Sequence, residues 1–255
     1  MNTKWKIWDE DKNYGKLLFD RAVGDSREME SSRAAAIVLK EFVKNNETIT
    51  DVGCGAGHYL RSIIDVLNVQ FKYQGVDATQ NYVELAKKAW SSYSFAKFIH
   101  GDIYNIPLED KSSDIVINCN VLLHLPSVKK PIEELLRVAK RVLIIRTLAG
   151  DRSFRILDVK PSEINNEEFN DDGEPKNYHY YNIYRKEYLK SLIVANPRVS
   201  KVEIFDDKNF NPLNITDDEI KLKGVHYDVT KMISEWQVNG YIMQPWCFII
   251  VHLND

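Results

Sequence analysis

The sequence predicts an α/β fold: a doubly wound, seven-stranded, mostly parallel sheet with helices on both faces. Short apolar runs alternate with amphipathic segments along most of the chain, which is the pattern of strand–helix–strand crossovers. One such run leads into a glycine-rich loop that opens directly into a helical segment, and acidic residues stand at the ends of the first strands. Since ligands of doubly wound sheets bind at the carboxyl ends of strands, the functional site is expected there.

Seven strands and four helices are expected in the core of this fold. Runs rich in branched apolar residues predict strands at about residues 47–51, 71–76, 97–101, 114–119, 141–147, 201–206 and 246–253. Apolar residues spaced three and four apart predict helices at about residues 57–67, 80–90, 128–139 and 184–195. Because these helices separate the first six strands, the connections are long enough to cross over between parallel strands.

The glycine loop after the first strand is the most informative segment. Gly53, Gly55 and Gly57 stand at alternate positions after Asp51, and glycines let the backbone turn sharply and bring its N–H groups against a ligand. The dinucleotide pattern G-x-G-x-x-G needs another glycine where this chain has His58, so the loop does not favour NAD. The Asp51 carboxylate would repel a pyrophosphate and attract an ammonium group.

Polar residues at the ends of the next strands suit an adenosine. Asp77 stands twenty residues after Gly57, where a carboxylate can accept hydrogen bonds from both ribose hydroxyls. Asp102 follows the third strand, and Asn118 lies in the fourth. A single acid at a strand end is often a helix cap or a solvated loop residue. The joint spacing favours ligand binding, because each residue must suit the same molecule.

On these motifs, which continue in register for about a hundred residues, the chain resembles the class I, Rossmann-like S-adenosylmethionine-dependent methyltransferases, and is similar to the methyltransferase type 11 group. The resemblance implies the class I methyltransferase fold, with the seventh strand antiparallel beside the fifth. It implies S-adenosylmethionine as the cofactor, with Asp102 bonding the adenine amino group and Ile103 covering the ring. The implied cofactor-binding residues are Asp51, Gly53, Cys54, Gly55, Gly57, Asp77, Ala78, Asp102, Ile103 and Asn118.

The N-terminal region, residues 1–46, is expected to be part of a cap. In similar enzymes this region closes over the cofactor, and the alternative is that its aromatic residues pack on the outer face of the sheet. A helix is predicted to begin near Ser31 or Ser32, because either serine can serve as its N-cap. The aromatic residues are Trp5, Trp8, Tyr14 and Phe19.

Two insertions are expected near the substrate site. Residues 148–183 are too many for a simple strand-to-helix loop and are expected to form a lid with the N-terminal region. In this insertion Tyr178, His179 and Tyr180 can line a small-molecule pocket. Residues 210–240 separate the last two strands. Helices in this second insertion are predicted near residues 217–222 and 229–238.

The resemblance also implies the chemistry, which is in-line displacement of a methyl group from a sulfonium. Alignment of the reactants can supply much of the rate, no metal is predicted, and a hydroxyl acceptor would also benefit from a general base. His124 is the first candidate, because it follows the fourth strand at the catalytic edge and histidine titrates near neutral pH. A packing or helix-capping role is the alternative. His179 is the second candidate.

Composition and charge favour one domain and a small acceptor. The 255 residues, 44% of them hydrophobic, suit a single methyltransferase domain over 1–255 with its cofactor-binding core at 47–147. A net charge of -3 disfavours an extended nucleic-acid footprint. A tRNA or rRNA methyltransferase and a non-catalytic regulatory protein that binds S-adenosylmethionine stay open. Acidic residues in the first insertion are Glu163, Glu167, Glu168, Asp171, Asp172 and Glu174.

Neither a membrane span nor a metal site is indicated by the sequence. It contains no run of about 18 apolar residues and no charged start followed by an apolar signal segment, so a cytoplasmic location is expected. Cys54, Cys119 and Cys247 lie far apart without C-x-x-C spacing. Neither a zinc site nor a disulfide framework is therefore predicted.

Overall fold

The fold was analysed in a computed structural model that describes residues 12–159, 171–173, 178–208, 231–233, 236–239, 242–243 and 246–254. Its helices are α1 (Lys12–Val23), α2 (Glu30–Lys40), α3 (His58–Val66), α4 (Gln80–Ala89), α5 (Lys129–Val138) and α6 (Lys186–Val194). Its strands are β1 (Glu47–Val52), β2 (Phe71–Asp77), β3 (Ala96–His100), β4 (Ser113–Cys119), β5 (Ala139–Gly150), β6 (Leu157–Asp158), β7 (His179–Tyr180), β8 (Tyr184–Arg185), β9 (Val199–Asp206), β10 (Lys231–Ile233), β11 (Trp236–Asn239), β12 (Ile242–Met243) and β13 (Trp246–Leu253).

The central sheet has the strand order β3-β2-β1-β4-β5-β13-β9. Strands β1 to β5 pair in parallel, and β13 is antiparallel to both β5 and β9. The seven predicted strands and the antiparallel strand beside the fifth are thereby confirmed. The chain winds outward from β1 through β2 and β3, and in the other direction through β4 and β5. The carboxyl ends of β1 and β4 therefore border the crevice where doubly wound sheets bind ligands.

Helices cover both faces of this sheet, which confirms the doubly wound architecture. On one face α2, α3 and α4 pack in the cluster that contains Ile144 of β5. On the other face α5 and α6 pack in the cluster that contains Leu143 and Ile145 of the same strand. A strand buried on both faces has no polar side to present, which explains the apolar run at residues 142–145 of β5.

The first helix lies over the glycine loop. Leu18 of α1 packs with Ala56 of the loop and with Tyr82 of α4, and Tyr14 and Phe19 pack against the same cluster. These two aromatic residues therefore pack beside the loop. That the N-terminal region closes over the cofactor stays a prediction. The other two aromatic residues of this region, Trp5 and Trp8, lie outside the described residues.

The predicted N-cap of the second helix is wrong. Helix α2 begins at Glu30, and Met29 occupies the N-cap position in place of Ser31 or Ser32. Both serines are buried in the first turn of the helix. Ser32 Oγ donates to Met29 O at 2.8 Å and lies 2.7 Å from Ser62 Oγ. The hydroxyl groups are thus used in helix packing, where a cap would need them beside backbone N–H groups.

The predicted helix at 229–238 is also wrong, because β10, β11 and β12 form an antiparallel sheet there. Ile233 pairs with Trp236, and Asn239 pairs with Ile242. The structure of these segments is thus set by their pairing with each other, which the apolar spacing of a single segment does not reveal. The predicted helix at 217–222 lies outside the described residues.

Two further predictions concern the whole chain. No helix in the described ranges is long and apolar enough to cross a bilayer. The organisation of residues 1–255 as a single domain stays a prediction, as does the cytoplasmic location.

Candidate functional site

The glycine loop joins β1 to α3 at the crevice. Gly53, Gly55 and Gly57 have φ angles of +85°, +54° and +76°, in the left-handed region that residues with a side chain seldom adopt. The neighbouring strand β2 holds the start of the loop, because the N–H groups of Gly53 and Cys54 both donate to Val76 O, at 2.7 and 3.2 Å. The alternating glycines are therefore required by the backbone of this turn.

Neighbouring elements also leave no room for a side chain at the glycine positions of the loop. A Cβ atom at Gly53 would overlap Val121 Cγ2, from the segment after β4. A Cβ atom at Gly55 would lie 2.9 Å from Leu18 Cδ1, from α1. The loop thus exposes backbone at its three glycines and forms a cradle at the start of a helix. Such a cradle suits a nucleotide-like ligand.

The carboxylate of Asp77 closes the loop from the end of β2. Its Oδ2 accepts a hydrogen bond from Gly55 N–H at 2.8 Å, and its Oδ1 accepts one from Thr79 N–H at 2.9 Å. The side chain is half-buried. Each carboxylate oxygen can accept more than one hydrogen bond, so these backbone contacts are compatible with the predicted contacts to ribose hydroxyls.

An open cavity of about 510 Å³ adjoins Asp77 and is lined by Ala78, Thr79, Gln80, Asn81 and His100. Its volume lies within the range of small-molecule pockets, roughly 300–1,000 Å³. His100 Nε2 donates to Ala78 O at 2.9 Å, which joins the end of β3 to the segment after β2. The cavity therefore lies where the resemblance places adenosine.

The segment after β3 lies beside the end of β2. Gly101 N–H donates to Asp77 O at 2.9 Å, which brings Asp102 beside Asp77. Asp102 Oδ1 accepts from Tyr104 N–H at 3.0 Å, while Ile103 is buried in the cluster on the α5 side.

Asn118 supplies an amide group at the end of β4. Its Nδ2 donates to Val52 O at 2.7 Å, and its buried Oδ1 has no hydrogen-bond partner among the described residues. Leaving a buried acceptor without a donor costs about 1–3 kcal/mol. A donor from a ligand or from water would remove this cost, so the amide fits a binding role.

Asp51 and Cys54 lie beneath the cradle. The Asp51 side chain belongs to a residue only 2% exposed, and its Oδ2 accepts from Tyr73 OH at 2.7 Å. Desolvation, with a smaller effect of the nearby Asp77 charge, raises the pKa of Asp51 to about 7. The hydrogen bond from Tyr73 acts in the opposite direction. Burial likewise raises the pKa of the Cys54 thiol, which excludes a thiolate at neutral pH.

His124 lies at the end of a short 3-10 helix, Leu122–His124, that follows β4. Its Nδ1 lies 2.8 Å from Tyr180 O. Because a carbonyl only accepts, Nδ1 carries the proton and Nε2 keeps a lone pair. Desolvation lowers the pKa of His124 to about 4, although the hydrogen bond to Tyr180 raises it and the neighbouring His179 lowers it. The imidazole is therefore neutral at pH 7.

The second candidate base lies next to the first. The ring centroids of His124 and His179 are 6.0 Å apart, and His179 Nε2 lies 3.2 Å from Asp158 Oδ2. This contact accompanies the antiparallel pairing of β6 with β7. The structure therefore brings both predicted histidines together, between the 3-10 helix after β4 and strand β7. The neighbouring aromatic residues are Tyr178, Tyr180 and Tyr181.

Arg146 is a buried residue beside the site that the sequence analysis missed. It is 1% exposed, its Nε donates to Asp207 Oδ2 at 2.8 Å and its Nη1 donates to Asn120 Oδ1 at 2.6 Å. Its guanidinium lies 4.3 Å from the centre of the Trp246 ring. The signal in the sequence was an arginine within an apolar strand, because a charge that is fully buried must be paired.

Asn182 was missed as well. It is fully buried, and it donates from its backbone N to Leu123 O at 2.8 Å and from Nδ2 to Leu125 O at 2.9 Å. Both acceptors flank His124. The described part of the first insertion is therefore fastened to the 3-10 helix, although no local sequence pattern distinguishes this asparagine from a solvated loop residue.

Residues 43–192, more than half of the chain, match the family model described as "Methyltransferase domain". The chain belongs to this family. The predicted recognition, the class I methyltransferase fold and S-adenosylmethionine as the cofactor are thereby confirmed. That the individual residues above contact the cofactor or the acceptor stays a prediction for this methyltransferase.

A curated protein is similar to part of the sequence of this methyltransferase. Demethylmenaquinone methyltransferase of Staphylococcus aureus (strain JH9) is 29% identical over 104 residues, which are 40% of this chain and 43% of that protein. The match thus spans less than half the length of this curated relative.

Solved structures share the fold of this methyltransferase along most of its length. Haemonchus contortus phosphoethanolamine N-methyltransferase 2 in complex with S-adenosyl-L-methionine has a TM-score of 0.60 at 12% identity, over 100% of this chain and 61% of that one. A chain of the complex between the Haloferax volcanii Trm112 methyltransferase activator and a methyltransferase has a TM-score of 0.59 at 15% identity, over 98% of each chain. At these identities the likeness shows the fold alone.

Replacing Gly53 by Ala should weaken binding of S-adenosylhomocysteine, the demethylated form of the cofactor, by roughly tenfold or more. The new Cβ would overlap Val121 and would stand on a left-handed backbone. Isothermal calorimetry measures the Kd. The matched control is Gly173→Ala, because Gly173 has φ of +82° but nothing within 4 Å of a Cβ atom. Equal Kd values for Gly53→Ala and the wild type would contradict the prediction that the glycine loop binds the cofactor.

Replacing Asp51 by Asn should flatten the dependence of the free energy of unfolding on pH. Burial raises the folded pKa of Asp51 to about 7, above its unfolded value of about 3.9, so the folded state holds the proton more tightly. The stabilisation is complete below the unfolded pKa and is lost as the pH rises through the folded pKa, at about 1.4 kcal/mol for each pKa unit.

Urea unfolding of both proteins between about pH 4 and pH 8 measures this effect. Other groups titrate in both proteins, so the difference between the two curves isolates Asp51. Parallel curves would show that this carboxyl group is solvated.

Proposed function

We propose that this methyltransferase transfers a methyl group from S-adenosylmethionine to a small-molecule acceptor, with His124 as general base where the acceptor group is a hydroxyl. The protonation of His124 carries the proposal. Its Nδ1 is fixed by Tyr180 O, and its pKa is lowered to about 4, so Nε2 is free of a proton at neutral pH. A base needs this state before it can accept a proton.

The cofactor would be held by the glycine loop together with Asp77, Ala78, Asp102, Ile103 and Asn118. When bound, it supplies a methyl group activated on a sulfonium. The N–H groups of the loop and the positive end of α3 orient a ligand there. The Asp51 carboxylate beneath the loop favours a cationic ligand.

The segment after β4 joins the cofactor cradle to the base. Val121 packs on Gly53, and His124 N–H donates to Val121 O at 2.9 Å. An acceptor bound against His124 would therefore lie close to the loop. Such proximity supports catalysis by alignment, which does not depend on a metal.

A small acceptor is supported by the residues around His124. The rings of Tyr178 and Tyr180 meet edge to face at 5.6 Å, and Tyr181 lies 5.9 Å from His124. Aromatic lining with a few polar groups is typical of small-molecule sites. The net charge of -3 disfavours a polyanion. The Staphylococcus aureus relative is named for methylation of demethylmenaquinone, which supports the same class of acceptor.

The two leading acceptor classes are separated by one comparison. The protein is incubated with methyl-labelled S-adenosylmethionine and with either a metabolite extract or total RNA from the same source. We expect label in the small-molecule fraction. Label in RNA alone would overturn the proposed acceptor class. Binding of the cofactor with no label in either fraction would favour the regulatory alternative.

Replacing His124 by Asn should lower turnover of a hydroxyl acceptor by roughly 10² to 10⁴, because the amide can still donate to Tyr180 O but cannot take up a proton. With a pKa of about 4, the wild-type rate should be constant near neutral pH and fall only as acid protonates Nε2. The expected pH dependence therefore lies near pH 4, in place of the titration near neutral pH that the sequence suggested for His124. Initial rates across the pH range measure both effects.

The matched control is His252→Asn, because His252 pairs with Glu203 at 2.9 Å in the two strands at the far side of the sheet. It should keep both the rate and the pH profile. A His124→Asn protein with an unchanged rate and profile would show that His124 is a packing residue.

A further inference from the structure

We infer that Arg146 is a positioning residue that holds the segment after β4 against the glycine loop, and thereby sets both cofactor affinity and the position of His124. The inference deepens the proposed function and rests on its assignment of the cofactor to this loop. Three steps connect Arg146 to the site: a buried ion pair, a left-handed asparagine, and a contact between a valine and a glycine.

The guanidinium of Arg146 is fixed from three directions. The Arg146 and Asp207 side chains are 1% and 0% exposed, with 2.8 Å between Nε and Oδ2. The ring of Trp246 lies against the guanidinium, a favourable arrangement for a cation. Asp207 N–H donates to Trp246 O at 2.7 Å, so the two residues also hold each other. A buried charge with these partners has one preferred position, because any displacement leaves it without compensation.

Asn120 takes its conformation from Arg146. Its Oδ1 accepts from Arg146 Nη1 at 2.6 Å, and its N–H donates to Arg146 O at 2.9 Å. Its φ angle is +60°, a left-handed conformation that is unfavourable for most residues and tolerated by asparagine. Two hydrogen bonds to one buried residue therefore determine the direction in which the chain leaves β4.

The next residue transmits this direction to the site. Val121 packs so closely on Gly53 that a Cβ atom there would overlap it, and its carbonyl accepts from His124 N–H. A change at Asn120 therefore moves the contact on the glycine loop and the 3-10 helix that ends in His124. Loss of the hydrogen bond from Arg146 should affect both cofactor binding and turnover.

Arg146 also contacts two residues that flank the second insertion in the chain. Asp207 precedes the second insertion, residues 210–240, and Trp246 follows it, so the guanidinium contacts a residue on each side of this insertion in the chain. The same guanidinium contacts Asn120 beside the site. Arg146 is thus the residue through which the junctions of the second insertion contact the cofactor edge.

The alternative is that Arg146 only stabilises the fold. Arg198 offers a matched comparison, because its Nη1 donates to Leu136 O at 3.0 Å and its Nη2 donates to Ala139 O at 2.9 Å. These acceptors lie at the end of α5 and at the amino end of β5, opposite the site. A purely structural arginine should affect stability without affecting the affinity of the folded protein for its cofactor.

The test uses Asn120→Gly, which removes the acceptor for Arg146 and keeps a residue that tolerates positive φ. Calorimetry with S-adenosylhomocysteine should give a Kd raised by about tenfold, because the contact of Val121 with the glycine loop is no longer held by Arg146. Turnover with a methyl acceptor should fall as well. Asn120→Asp keeps an oxygen facing the guanidinium and should restore the wild-type Kd.

Arg198→Gln should lower the melting temperature and leave the Kd unchanged. Wild-type affinity in folded Asn120→Gly, or an equal rise in Kd in Arg198→Gln, would overturn the positioning role. If the wild-type protein itself fails to bind S-adenosylhomocysteine, the assignment of the cofactor fails instead. Because the decisive variants leave Arg146 in place, the test does not depend on whether a protein lacking this arginine folds.

Discussion

The rest of the site depends on one constraint, which is that the turn between β1 and α3 must have glycine at positions 53, 55 and 57. Three left-handed glycines make the turn possible, and each neighbouring element then packs on the bare chain. Strand β2 supplies Val76 O and the Asp77 carboxylate, the segment after β4 supplies Val121, and α1 supplies Leu18. The proposed cofactor pocket on this edge would therefore follow from how tightly parallel strands and helices pack around a glycine turn, and its shape would be sensitive to each of these contacts.

Two buried charges near this turn are stabilised in opposite ways. The charge of Arg146 is compensated directly by the Asp207 carboxylate. Asp51 accepts a hydrogen bond from neutral Tyr73, and desolvation raises its pKa to about 7. A carboxyl group that ionises only near neutral pH is the group on which a cationic ligand has most effect, because the charge of the ligand replaces lost solvation. The ammonium and sulfonium groups of S-adenosylmethionine are ligands of this kind.

The sequence predicted the parts of the fold that depend on local patterns. The strands, the crossover helices and the glycine loop all follow from periodicity and from glycine spacing, so they were found. The parts that failed depend on distant partners. Met29 occupies the N-cap position, while the Ser32 hydroxyl lies against Ser62. Strands β10, β11 and β12 form by pairing with each other. Arg146 and Asn182 have roles that exist only when β5, β13 and the first insertion meet, so single-residue patterns could not identify their partners.

The first insertion determines what kind of base His124 can be. Tyr180 O fixes the tautomer, and Asn182 fastens the segment on both sides of the histidine. The same packing removes water and lowers the pKa of His124 to about 4. A base of this strength is always available at neutral pH, but it is poorly matched to a weakly acidic alcohol, because proton transfer is most effective between groups of similar pKa. The enclosure of His124 therefore favours acceptors whose proton is already acidic, such as a phenolic hydroxyl with a pKa of about 10, or acceptors whose anionic form raises the pKa of the imidazole as it binds.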